Sequence, residues 1–300
     1  ACNRHHPPRE SRLRSNSSWG THSGRPVAGQ GNRADLSATA ADGAARDCGL
    51  RPARRGRLSR VLHRVDPEAL PGARPQDHAR DLGYGAAAWT SRDLRDRLAR
   101  VRPDVEVIGI EIDPVRVTAA QPYADATLSF RRGGFEVPLD GESPVIIRAF
   151  NVLRQYDHSE VTDAWQRMSS RLAPGGLLVE GTCDELGRHA WWVTLEAGAW
   201  HPRSLTLSTR LAGLGQPSDL AERLPKALIH RNVPGERIHA VLAQLDRCWA
   251  SAAPHASFGV RQRWMAAVGS LRDTGVGVLD GPARWRLGEL TLAWAAVAAW

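Results

Sequence analysis

The chain has 300 residues, 42% of them hydrophobic, enough for one large globular domain or a domain with an extension. Its formal net charge of +8 is confined to the first 60 residues, which hold 12 Arg and 4 acids; residues 61–300 hold 28 basic and 28 acidic residues and balance. No apolar run approaches the roughly 18 residues of a membrane span, no secretory leader is visible, and the four cysteines lack zinc-finger or redox spacing. A cytoplasmic setting follows by elimination, with no membrane partner.

Residues 1–50, rich in Ser, Gly, Ala, Asn and Arg, read as a disordered basic tail. Such a tail can touch nucleic acid electrostatically without reading sequence. RNA recognition by the body would need a basic surface, which its neutral balance does not supply. Residues 51–76 read as a linker with one short helix. The segment 77–212 carries alternating strand and helix signals, and 213–300 reads as a helix-rich extension packing on it.

In chain order, Asp81-Leu82-Gly83-Tyr84-Gly85 precedes a helix predicted over 90–102 by Leu94, Leu98 and Val101, with Thr90-Ser91-Arg92-Asp93 as a capping box. Strands are expected at 105–110, 126–130 and 145–150. A helix follows over 159–172 (Val161, Trp165, Met168, Leu172), opened by an Asp157/Glu160 capping box. Pro174-Gly175-Gly176 turns into a strand from Leu177. Strands at 190–196 and 204–211 have no helix between them and are expected to pair antiparallel. A helix is predicted over 236–250. Nine of the eleven tryptophans lie from Trp165 onward, which reads as core packing. Strands alternating with helices imply a parallel sheet covered on both faces.

Glycines at 83 and 85 let the backbone turn sharply and approach a ligand, and a helix N-terminus follows. Gly83, Gly85 and Ala88 also fit G-x-G-x-x-A, so a dinucleotide such as NAD competes with other adenosyl ligands. The acid two residues before Gly83 suits a cationic ammonium better than a pyrophosphate. Glu111, at the end of the next strand, can accept both hydroxyls of a ribose in either case.

Asp-x-Gly-x-Gly at 81–85, the strand-end acid Glu111, Arg148-Ala149-Phe150-Asn151-Val152-Leu153 and Leu172-Ala173-Pro174-Gly175-Gly176 together resemble class I S-adenosylmethionine (SAM)-dependent methyltransferases. Three further phrases, Phe130–Glu136, Gly181–Gly187 and Leu224–Asn232, look like an actinobacterial methyltransferase-like group of unassigned substrate. The resemblance implies a Rossmann-like sheet of order 3-2-1-4-5-7-6 with an antiparallel seventh strand, and SAM as cofactor. It implies that Asp81, Gly83, Tyr84 and Gly85 hold the methionine end, that Glu111 holds the ribose, that Ile112 flanks the adenine with Phe135 and Glu136 nearby, and that Asn151 lies near the reacting methyl. The methyl acceptor is expected to be a small molecule. Tyr156, Asp157, His158, Asp184 and Glu185 are candidates for a general base, with caps and loop positions as the plainer readings of the acids. Cys183 reads as a buried thiol. His230-Arg231-Asn232 is a candidate acceptor lining. No metal constellation is visible. A catalytically inactive binding protein of the same fold and an NAD-dependent oxidoreductase are the alternatives.

One segment departs from the pattern. A central parallel strand should be apolar, yet the residues before Asp81 are Gln76-Asp77-His78-Ala79-Arg80. Charges there are costly unless paired, which implies a short, displaced strand, a diverged one, or a segment derived from a wrong reading frame.

Overall fold

The computed structural model describes residues 78–138, 141 and 143–298. The expected tail and linker at 1–76 lie outside the described residues, and with them the proposed contact with nucleic acid. In order, the elements are β1 (His78–Leu82), α1 (Trp89–Leu98), β2 (Glu106–Glu111), α2 (Pro114–Ala120), β3 (Leu128–Arg132), β4 (Ile146–Phe150), α3 (Val161–Ser169), β5 (Leu177–Cys183), β6 (His189–Glu196) and β7 (Ser204–Thr209). There follow α4 (Lys226–Ile229), α5 (Arg237–Ser251), α6 (Val260–Asp273), α7 (Pro282–Trp285), β8 (Glu289–Ala293) and α8 (Trp294–Val297).

The strands form one sheet in the order β3-β2-β1-β4-β5-β6-β7-β8. The first five are parallel, as the alternating pattern implies. The expected order 5-7-6 is corrected. β6 pairs antiparallel to β5, β7 to β6 and β8 to β7, so the chain meanders outward. It is therefore β6 that runs against β5, while β7 again runs with the parallel set. The cause is local: Asp184-Glu185-Leu186-Gly187-Arg188 makes a hairpin in place of a crossover helix. Asp184 Oδ1 accepts from the Arg188 amide at 2.6 Å, and Gly187 takes φ +59°. The antiparallel pairing of the strands near 190 and 204 is as expected. The strand at 289–293, within the extension read as helical, is an addition.

Alternation along the strands loads both faces. Ala79, Val107, Leu128, Phe130 and Ile146 pack with Leu94 of α1 on one side. Leu82, Ile110, Ile147 and Leu178 pack on the other with Trp165 and Met168 of α3, and with Leu242 and Leu245 of α5. Each such buried side chain contributes roughly 1.5–3 kcal/mol. Residues beyond 213 thus share the core of the sheet rather than forming one of their own.

β1 is neither short nor displaced. It is a regular strand hydrogen-bonded between β2 and β4, in spite of its charges. Asp81 Oδ1 lies 3.3 Å from Arg148 Nη1 on the neighbouring β4, and its Oδ2 accepts from Ser91 Oγ at 2.8 Å. His78 Nδ1 lies 3.4 Å from the Glu106 carboxylate. Arg80 is less well served. Its Nη1 donates to the Ala79 carbonyl at 3.3 Å, its Nε has no hydrogen-bond partner among the described residues, and burial followed by Arg131 pulls its pKa down to about 10.

α1 begins at Trp89 with no side-chain cap, so the capping box at 90–93 does not form. The Thr90 hydroxyl that would make it donates to the Tyr84 carbonyl at 3.3 Å instead, and the neighbouring Ser91 donates to Asp81. The helix stops at Leu98 and Val101 is 46% exposed. The Asp157/Glu160 box does form, on the single 3₁₀ turn His158–Glu160 that leads into α3. No helix of the described residues is long and apolar enough to cross a membrane.

Candidate functional site

Open parallel sheets offer ligands the crevice outside the carboxyl ends of their strands. Here the ends of β1, β2 and β4 adjoin, and three backbone specialities meet there. Gly83 and Gly85 take φ +69° and +82°, and Asn151 takes φ +60° although it carries a side chain. The Gly83 amide donates to the Ile110 carbonyl at 2.7 Å, which pins the turn to β2. A Cβ at Gly83 would meet Val152 Cγ2 at 2.5 Å, so the loop after β4 closes against the glycine turn. Tyr84 points inward against Phe130, ring centroids 5.3 Å apart, and its hydroxyl donates to the Arg116 carbonyl at 3.4 Å. Burial, reinforced by Glu111 and Asp81, raises its pKa, so it stays a neutral phenol.

Glu111 is 5% exposed and its carboxylate is the electrostatic centre of the loop cluster. Oε2 accepts from the Gly85 amide at 3.1 Å, and Oε1 from Ile112 at 2.9 Å and Asp113 at 3.4 Å. Arg116 Nη1 stands 3.7 Å from Oε2. Ile112, beside it, is 62% exposed. Asp113 caps α2 by accepting from the Val115 amide at 2.8 Å.

Asp81 is 1% exposed and engaged by both Arg148 and Ser91. It lies beneath the glycine turn and braces it through α1. Asn151 ties two strand ends together: its Oδ1 accepts from the Cys183 amide at 2.9 Å, and its Nδ2 lies 3.4 Å from Cys183 Sγ. Tyr156 stacks at a tilt on Phe135, centroids 4.9 Å apart. Its phenol pKa is raised by burial and then by the charges of Glu160 and Glu111.

Two of the acids named as candidate bases serve the backbone. Asp157 belongs to the cap before α3 and Asp184 to the β5–β6 hairpin, while Glu185 is exposed in that hairpin. His158 Nε2 sits 3.3 Å from the Ala227 carbonyl, linking the loop after β4 to α4. His230 is exposed, and Arg231 pairs with Glu236 at 2.8 Å. The Asn232 Oδ1 is buried without a hydrogen-bond partner among the described residues. No group of His, Cys, Asp or Glu suited to a metal ion occurs among the described residues.

Sequence reasoning missed Arg148, Ser91 and Arg116. Arg148 left a signal, since a lone charge in an apolar strand demands a buried partner. Arg116 left none.

No protein-family model matches the chain, and no curated protein does. Similar solved structures include a complex between the Haloferax volcanii Trm112 methyltransferase activator and a methyltransferase (24% identity, 48% of this chain and 57% of that one, TM-score 0.34). Others are the sugar N-methyltransferase KedS8 from a Streptoalloteichus species (17% identity, 51% and 64%, TM-score 0.34) and the amino pentose methyltransferase CalS10 from Micromonospora echinaspora (17% identity, 50% and 66%, TM-score 0.33). The chain spans under two thirds of the length of each.

Proposed function

We propose that the chain binds S-adenosylmethionine along the carboxyl ends of β1, β2 and β4 and transfers its methyl group to a small-molecule acceptor. The observation that carries this reading is the pairing of a two-glycine turn at positive φ with a strand-end carboxylate held on the amide of the second glycine.

The residues suit the cofactor unevenly. Glu111 is held by backbone amides at the end of β2, where a carboxylate can receive ribose hydroxyls, and exposed Ile112 offers an apolar face for adenine. At the methionine end the turn supplies backbone from Gly83 to Gly85. Asp81 contributes by position, holding Ser91 and Arg148 below the turn, because meeting an ammonium directly would strip Arg148 of its partner.

The bound cofactor would supply a methyl group already activated on a sulfonium. The chain's task is then alignment, and a base is needed only for an acceptor that must first lose a proton. Asn151 fixes the spacing of the β4 and β5 ends at the proposed methyl side. Tyr156, protonated at neutral pH, is suited to donate a hydrogen bond to the acceptor rather than to take a proton from it.

A binding-only protein is the second reading. It is favoured by Asp157 and Asp184 being committed to a cap and a turn. Calorimetric titration with S-adenosylhomocysteine (SAH), with NAD in parallel and the isosteric Glu111→Gln variant as site control, tests the proposal. Saturable SAH binding that the variant weakens at least tenfold is expected. A folded protein that ignores SAH refutes it, and saturation by NAD instead would make the site a dinucleotide site.

A further inference from the structure

We infer that Arg116 is a built-in competitor for Glu111, so that the free protein keeps its proposed cofactor site partly closed. The inference rests on the reading of Glu111 as the carboxylate that receives ribose hydroxyls.

A carboxylate offers about four acceptor positions. On Glu111, Oε1 faces the amides of Ile112 and Asp113, and Oε2 faces the amide of Gly85 and the Arg116 guanidinium. Three positions are taken by hydrogen bonds from within the chain and the fourth faces the Arg116 cation at 3.7 Å, beyond hydrogen-bond reach, so an entering ribose hydroxyl meets the guanidinium. The three donors are backbone amides fixed by β2, by the start of α2 and by the glycine turn. Arg116 alone sits on a flexible stem; its side chain is 28% exposed and its contact, at 3.7 Å, is the longest of the four. It has a second anchor, with Nε 3.5 Å from Asp113 Oδ2, which can keep the guanidinium once Glu111 is taken. The Tyr84 hydroxyl holds the backbone carbonyl of residue 116, so shortening the side chain leaves the link between the glycine turn and α2 in place.

A competitor of this kind lowers apparent affinity by the fraction of molecules in which it is engaged, and it acts on association, because dissociation starts from the open form. For a partly exposed pair the effect is modest.

The test is SAH binding to wild type, Arg116→Ala and Arg116→Lys, by stopped-flow with equilibrium titration. Arg116→Ala is expected to bind about three- to five-fold more tightly, with the gain in the association rate and an unchanged dissociation rate. Arg116→Lys, which keeps a cation on a similar stem, is expected to fall between the two. Unchanged or weaker binding by Arg116→Ala, or a gain made wholly in dissociation, overturns the competitor while leaving the site assignment standing. If neither wild type nor Arg116→Ala binds, both folded, the competitor and the cofactor site fall together.

Discussion

Across the parallel half of the sheet, β1 to β5, the strands end in irregular backbone and shelter buried charge. Gly83 and Gly85 follow β1, Val137 at φ +43° follows β3 and Asn151 follows β4, while Asp81, Arg148 and Glu111 lie below the surface. The antiparallel half is built differently. Past the tight hairpin at Gly187, β6 and β7 bury Trp191 and Leu207 in one core with Trp264 and Trp285, while Trp192 packs apart with Phe150 and Val179. Strained residues and buried ions persist only where surrounding structure enforces them. Asp81, Glu111 and Arg148 lie in the parallel half, and the antiparallel half supplies much of the apolar mass around them. Glu289 on β8 is the exception to the division, fully buried with Arg284 Nη1 3.5 Å away, while Glu180 on β5 faces the apolar core with Trp165 Nε1 3.3 Å away.

The comparison breaks most sharply at Asp81. Asp81→Ala leaves Arg148 buried without its carboxylate and is expected to cost about 3–5 kcal/mol in urea denaturation. Asp81→Leu combined with Arg148→Met should recover much of that loss, because two apolar side chains replace the pair. Next comes the turn. Gly83→Ala combines a left-handed φ with a clash against Val152, for an expected loss of about 2–4 kcal/mol.

Glu180 tests the apolar face of the parallel half. Burial raises its pKa to about 8, opposed by the Trp165 hydrogen bond, from an ordinary value of 4.5. Between those values the folded state binds the extra proton, so stability falls as pH rises through that window, by up to about 1.4 kcal/mol per pH unit, and is level above it. Glu180→Gln should flatten this slope and be the more stable protein at pH 8, as read from denaturation midpoints across pH. Asn151→Ala, which loses the tie to Cys183 but keeps a Cβ at positive φ, should cost about 1–2 kcal/mol, and Asn151→Gly less.

The smallest effect is expected at the surface. Arg95 and Thr127 hold Asp125 at a pKa of about 2, chiefly through the Arg95 hydrogen bond. Its stabilisation is present above the ordinary carboxylate pKa and is lost as pH falls through about 2. Because the pair is solvent-screened, Asp125→Asn should cost less than about 1 kcal/mol at neutral pH.

Periodicity made α3, α5 and the buried parallel strands legible, since their apolar spacing is set by the faces they cover. The glycine turn and Glu111 were legible for a related reason: their residue types are nearly forced by backbone geometry and by charge at a strand end. What stayed hidden depends on partners distant in sequence. β1 reads as a poor strand until Arg148, 67 positions after Asp81, supplies its counter-ion. Thr90 and Ser91 have the composition of a cap but are drawn inward by Asp81 and Tyr84. The order of the last strands turned on whether Asp184–Arg188 made a hairpin or a crossover, and the hairpin is closed by Asp184 accepting from the Arg188 and His189 amides.

The central claim is that the ligand lies on the parallel half, at the glycine turn and Glu111. Hydrogen exchange of the backbone amides with and without saturating SAH tests it most directly. Slowed exchange confined to residues 83–88, 111–116 and 151–156 is the predicted result. Unchanged exchange in those three segments, or protection centred on β6 to β8 and the helices that cover them, would contradict it.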